Sequence, residues 1–243
     1  MCEICRQGAH RSFKPSRRSF ILTASAAGLL LAHPALAKEA KAPPKPQNVL
    51  TPDAALARLK QGNERYVEGV AKRHDFKHER EALAGGQNPY AAILSCADSR
   101  IAPEYAFDSG RGDLFVCRVA GNFASEDIVA SMEYAIAVLN VPLILVLGHE
   151  SCGAVDATIK SLKDGTTLPG HLPSLVAAIS PAVKAAQGEP GDLLANAIRQ
   201  NVALTVDKVK AATPILKAAV DDSKIKVVGG VYKLASGHVE LLR

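Results

Sequence analysis

Beyond position 50 the chain alternates between short runs that are almost wholly apolar and longer stretches whose apolar residues recur on a helical period. Four runs have strand length and β-branched content: Ala91–Leu94, Leu114–Val119, Val141–Leu147 and Ile225–Val231. Between them, Glu126–Leu139, Ala154–Leu162, Leu172–Ala186 and Leu193–Ala212 read as helices. In the last of these Leu194, Ile198, Val202, Thr205 and Val209 share one face, and Pro214 stops the helix. An earlier helix starts at Thr51-Pro52-Asp53, with a capping hydroxyl, proline at the first helical position and an acid in the first turn. Leu56, Leu59, Tyr66 and Val67 give it an apolar stripe. Strands without a polar face, separated by helices, predict one α/β domain over residues 51–243: a mostly parallel central β-sheet flanked by helices on both faces.

The N-terminus has a different pattern. Ser16-Arg17-Arg18-Ser19-Phe20-Ile21-Leu22 resembles the twin-arginine export motif and opens a 13-residue apolar stretch, Phe20–Ala32. A bilayer-spanning helix needs about 20 apolar residues, so this stretch fits a signal peptide better than an anchor. Ala35-Leu36-Ala37 offers a small-x-small cleavage site. Residues 1–37 therefore read as a twin-arginine signal peptide and 38–50 as a Lys/Ala/Pro-rich linker with nothing to bury. The expected partner of the precursor is the twin-arginine export machinery. The expected destination is the periplasm, with no stable membrane anchor after cleavage. This segment also explains the formal charge of +5: five basic residues and one acid precede position 38, leaving 24 bases and 23 acids after it. A near-neutral domain without tryptophan gives no support for nucleic-acid binding.

Two short pieces carry candidate chemistry. Cys96-Ala97-Asp98-Ser99-Arg100 and His149-Glu150-Ser151-Cys152 supply two thiolates and an imidazole, with a carboxylate and a guanidinium beside them. Zinc favours four ligands in a tetrahedron, so three from the protein leave a position for water or substrate, as in a catalytic site. The cysteines are 56 residues apart, too far for a compact finger. Cys96 and His149 instead fall at the C-terminal ends of predicted strands, where open parallel sheets bind ligands. Gly153 is expected to let backbone approach the metal. With Cys96 and Cys152 on zinc, Cys117 has no partner and reads as a small buried hydrophobe, so no intrachain disulfide is expected.

Ser95–Arg100 and Gly148–Ala154 resemble the two signature motifs of the β-class carbonic anhydrases. The likeness extends through Gly112–Asn122 and Ser131–Ala135, and covers roughly Pro52–Leu241. The resemblance implies homodimers or higher multiples of dimers, with active sites at the subunit interface. It implies one zinc per subunit, held by Cys96, His149 and Cys152, with Asp98 and Arg100 as a catalytic dyad. The implied substrates are carbon dioxide and bicarbonate, interconverted through a zinc-bound hydroxide that Asp98 orients. Gln87, nine residues before Cys96, matches a glutamine of an open-site subgroup that reaches substrate across the dimer interface; Phe115, Tyr134 and Gly153 match other substrate-pocket positions. In other members the aspartate itself closes the site as a zinc ligand, a state linked to a bicarbonate pocket that contains tryptophan, and this chain has none. Cys117, Val119, Ala154 and Lys233 depart from residues common in the family. Two alternatives stay open: hydrolysis of carbonyl sulfide or carbon disulfide at the same ligand set, and zinc binding without turnover. His74, His78, His171 and His238 are candidate proton shuttles, and Glu133 with Arg118 reads as a structural pair.

Overall fold

Thr51 caps the first helix as its sequence dictates: its Oγ1 accepts from the Ala54 N–H at 3.2 Å, and α1 runs Pro52–Val67. This computed structural model describes residues 49–242. The expected signal peptide, its cleavage point and all but the last two residues of the linker lie outside the described residues. After α1 come α2 (Phe76–Leu83), β1 (Ala91–Ser95), α3 (Pro103–Ala106), β2 (Leu114–Arg118), α4 (Glu126–Ala137) and β3 (Leu143–His149). The chain continues through α5 (Gly153–Asp164), α6 (Leu172–Ala186), α7 (Leu193–Ala211), α8 (Ile215–Asp221), β4 (Lys226–Tyr232) and β5 (Val239–Leu241). No helix among these residues is long and apolar enough to cross a membrane.

The strands form one sheet in the order β2-β1-β3-β4-β5, parallel except for β5, which pairs antiparallel with β4. Alternation along β1 and β3 divides the core in two. Ala92, Leu94, Ile144 and Val146 face a layer built from α4 to α8, represented by Met132, Val155, Ile179, Val202 and Leu216. Ala91, Ile93, Leu143, Leu145 and Leu147 face Leu59 of α1, Ala106 of α3 and Phe107. Both strands are buried along their whole length, each large side chain contributing about 1.5–3 kcal/mol of transfer free energy.

Several elements differ from their sequence patterns. β2 is apolar but only half-buried, because it is the outer strand of the sheet rather than an inner one. Tyr66 and Val67 are exposed; the inward face of α1 is Ala55, Leu59, Gly62 and Asn63. Asn63 is tolerated there because it is fully used: its Nδ2 donates to Ala106 O (2.9 Å) and Gly237 O (2.8 Å), and its Oδ1 accepts from Val239 N (2.8 Å). Pro214 ends α7 as expected but then sits at the N-cap of α8, a helix the pattern does not announce.

Candidate active site

From β1 the chain crosses to β2 on one side and then to β3 on the other, so the topological switch point lies between β1 and β3. Cys96 directly follows β1, His149 is the last residue of β3, and Cys152 is the N-cap of α5. Cys96 Sγ, Cys152 Sγ and a ring nitrogen of His149 lie within 4.8 Å of one another, and all three residues are at most 4% exposed. Donors sharing one tetrahedral zinc sit roughly 3.5 Å apart, given bonds of about 2.0–2.3 Å.

The donor chemistry fits a cation. His149 Nδ1 donates to Glu150 O at 2.8 Å, which turns Nε2 toward the sulfurs. Nε2 is buried without a hydrogen-bond partner among the described residues. The Cys152 thiol beside it, with smaller help from His149 and the Gly121 N–H, lowers Cys96 to about 4. The same thiolate pushes Cys152 well above the usual thiol range, and burial adds to that. Burial pulls the His149 imidazole down, but the Cys96 thiolate more than offsets it. Three buried groups thus compete for protons in one small volume, and a divalent cation replaces those protons.

Asp98 borders this group. Its Oδ1 accepts from Arg100 N and Nε, each at 2.9 Å, and its Oδ2 from Arg100 Nη2 at 2.7 Å. Those bonds, from Arg100 first of all, hold the carboxyl well below the usual carboxylate range. Oδ2 lies 3.8 Å from His149 Nε2. Arg100 Nη2 also reaches Ser151 O at 3.2 Å, joining the two motif loops.

Arg118 behaves differently from its sequence reading. Instead of pairing with Glu133 it donates to three carbonyls of the Cys96 loop: Cys96 O at 2.9 Å, Asp98 O at 2.7 Å and Ile101 O at 2.8 Å. An arginine closing an otherwise apolar strand is a sequence signal for such a clamp. Glu150 is a second unanticipated support. Its carboxylate meets Lys233 Nζ at 3.1 Å and the Leu234 N–H at 3.2 Å, steadying the residue whose carbonyl orients His149.

The remaining candidates are placed less simply. Gln87 is exposed, in the loop before β1. Five residues of parallel strand, roughly 13 Å from first to last Cα, separate that edge of the sheet from the edge that carries Cys96. Gln87 therefore does not join the donor group of its own chain. Phe115 and Tyr134 meet each other, ring centroids 6.2 Å apart, on β2 and α4. Gly153 opens α5 directly after Cys152, and among the described residues a Cβ there would meet nothing within 4 Å. Cys117 is half-buried rather than buried, again because β2 is an edge, and burial raises its thiol pKa. His74 pairs with Glu79 and His78 with Asp75, and neither belongs to the donor group.

Residues 91–239 match the carbonic anhydrase family. Carbonic anhydrase 2 of Mycobacterium tuberculosis is 39% identical over 191 residues, covering 78% of this chain and 92% of its own. The carbonic anhydrase of Mycolicibacterium smegmatis is 38% identical over 191 residues, 78% of this chain and 93% of its own. Among solved structures, the β-carbonic anhydrase CcaA aligns at a TM-score of 0.58 and 28% identity, over 77% of this chain and 95% of that one. One of two tetrameric β-carbonic anhydrases from Sordaria macrospora shares the fold at a TM-score of 0.62 and 23% identity, over 78% of this chain and 97% of that one. A family match across most of the sheet, and relatives this similar over most of their length, show that the chain belongs to the β-class carbonic anhydrases, lyases of the carbonate dehydratase type.

Proposed function

We propose that the protein catalyses the reversible hydration of carbon dioxide to bicarbonate and a proton at one zinc ion per subunit, with Cys96, His149 and Cys152 as ligands. The observation that carries this is the convergence of three buried donors, one of them a partnerless imidazole nitrogen, beside an ionised carboxylate. Zinc in such a site supplies a Lewis acid that lets water ionise near neutral pH, as is known of carbonic anhydrases.

The work of the chain is orientation. Asp98 has its acid strength raised by Arg100, so it is a poor proton donor throughout the neutral range. It acts as an acceptor, taking a hydrogen bond from the nucleophilic oxygen and directing that oxygen's lone pair at the carbon of the substrate. Arg100 fixes both oxygens of Asp98 and ties them to the Cys152 loop through Ser151 O. With both oxygens so engaged, Asp98 belongs to the dyad and stays out of the ligand set, which is the open form of the site.

Two features support a dimer or a multiple of dimers. β2 presents a half-exposed apolar strand at the sheet edge, with Tyr134 of α4 and Val138 just after that helix exposed nearby in sequence. Gln87 sits at the wrong end of its own sheet to reach its own zinc group, so a role at substrate requires it to come from a second subunit, where Phe115 and Tyr134 would line the shared pocket. Export to the periplasm through the twin-arginine machinery, with cleavage after about Ala37, rests on Arg17-Arg18, the short apolar run and Ala35-Leu36-Ala37.

The test is Cys96→Ser, His149→Ala and Cys152→Ser, each assayed for bound zinc and for carbon dioxide hydration. Each variant should lose both. A variant that keeps a full zinc complement and the wild-type rate removes that residue from the ligand set.

A further inference from the structure

Helix α7 carries an amide into an apolar face. Asn201 is 4% exposed, between Ile198 and Val202 on the side packed against the sheet. Its Nδ2 donates to Gly121 O at 2.7 Å, across 80 residues of sequence. Gly121 in turn donates its N–H to Cys96 Sγ at 3.3 Å. One residue is therefore held at both ends, by the helix amide at its carbonyl and by the sulfur at its nitrogen.

The loop around Gly121 needs such an anchor. Gly121 has φ +82°, and the next residue, Asn122, has φ +42°. Glycine takes such a φ freely, but the left-handed side-chain-bearing residue after it costs on the order of 1 kcal/mol and persists where surrounding contacts hold it. There is also no room for another residue type: a Cβ on Gly121 would lie 2.5 Å from Ile179 Cδ1 and 3.4 Å from Ala154 Cβ. Asn122 closes the turn through its backbone, donating its N–H to Val119 O at 2.9 Å, while its side-chain amide nitrogen is buried without a partner among the described residues. With the turn already closed by the Asn122 N–H on Val119 O, what Asn201 adds is a fixed tilt of Gly121; released from it, the Gly121 N–H would no longer be held on the sulfur.

We propose that Asn201 is a positioning residue for the metal centre: by anchoring Gly121 it keeps the Gly121 N–H on the Cys96 thiolate and so sets that ligand's orientation and electron donation. This rests on the reading of Cys96 as a metal ligand. An N–H directed at a thiolate withdraws electron density from it, and groups behind the first ring of ligands typically govern metal affinity by about 10–100-fold.

The experiment uses the full protein loaded with cobalt(II), whose thiolate-to-metal charge-transfer band reports on the sulfur directly. Asn201→Leu keeps the approximate volume and removes the donor. Asn63→Leu is the matched control, an equally buried asparagine on α1 that serves Ala106 O and Gly237 O. In Asn201→Leu the band should move to lower energy, because the sulfur regains the density the N–H withdrew. Cobalt release to a chelator should be about 10-fold faster or more, because the ligand's orientation is lost. In Asn63→Leu the fold should lose stability while band and release stay as in the wild type. An unchanged band and release rate in Asn201→Leu overturns the proposal, as does an equal shift in both variants. Wild-type protein that takes up no cobalt overturns the metal reading as well, which separates the two failures. If Asn201→Leu does not fold, Asn201→Ala is read by the same two measurements.

Discussion

Adding one methyl group at Gly148 tests the packing that seats His149. Gly148 lies on buried β3, immediately before His149, and an alanine Cβ there would fall 2.6 Å from Val202 Cγ2. Val202 also fills the space over Gly229 of β4, where an added Cβ would lie 2.7 Å from its Cγ1. Carbon atoms pack comfortably at about 3.5–4.0 Å, so roughly 1 Å must be found. Val202 cannot supply it by rotation, since a helical valine holds essentially one χ1 rotamer. Overpacking of this kind costs about 1–3 kcal/mol, and the reduced freedom of the unfolded alanine chain recovers about 0.4–1 of that. Gly148→Ala should therefore destabilise by about 1–2 kcal/mol. Val202→Ala alone removes two buried methyl groups, about 1.6 kcal/mol in transfer before any cavity cost. In the double variant the new methyl enters the space that Val202 vacates, so its cost should fall at least about 1 kcal/mol below the sum of the singles. Denaturant midpoints of the four proteins, at constant m, complete the cycle. Additivity to within about 0.5 kcal/mol would refute the claim that α7 rests on the sheet through Val202 above these glycines.

Asp98→Asn should retain zinc but lose about 100-fold or more in kcat, because an amide can donate to the nucleophile and misdirect it; near wild-type turnover would remove Asp98 from the dyad. Hydration should rise with pH as a single-proton titration, since the deprotonated nucleophile is the active form and Asp98, depressed by Arg100, stays ionised throughout. A steep, cooperative loss of activity near neutral pH, deepened by bicarbonate, would show instead that Asp98 enters the ligand set. Replacing Arg17 and Arg18 together by lysine should leave the folded precursor in the cytoplasm, visible by fractionation and blotting. Normal amounts of mature periplasmic protein would refute twin-arginine export.

The sheet was readable from sequence because its inner strands have no polar face: Ile93, Leu94, Leu145 and Val146 admit no other environment. β5 was not, since three residues alternating Val239-Glu240-Leu241 are too few to show a period. α2 escaped for another reason. None of its residues is buried, so it has no apolar stripe to detect, and it depends on the Asp75 cap accepting from Lys77 N and His78 N. The metal donors were legible because cysteine and histidine at strand ends have distinctive chemistry. Their supports were less so: the arginine that closes apolar β2 hints at a clamp, but Glu150 and Asn201 act through backbone carbonyls 1 to 80 residues away, and carbonyls leave no trace in a sequence. Nor does a single subunit show why position 153 is glycine, since the space beside it is open.

The most direct test of the central claim is to titrate zinc into chelator-stripped protein while following carbon dioxide hydration by stopped flow. The rate should start near the uncatalysed value, rise in proportion to bound zinc and level off at one zinc per subunit, and Cys152→Ser should show no zinc-dependent rise. One tightly bound zinc per subunit with no hydration, or hydration undiminished in the stripped protein, would contradict a catalytic zinc at Cys96, His149 and Cys152.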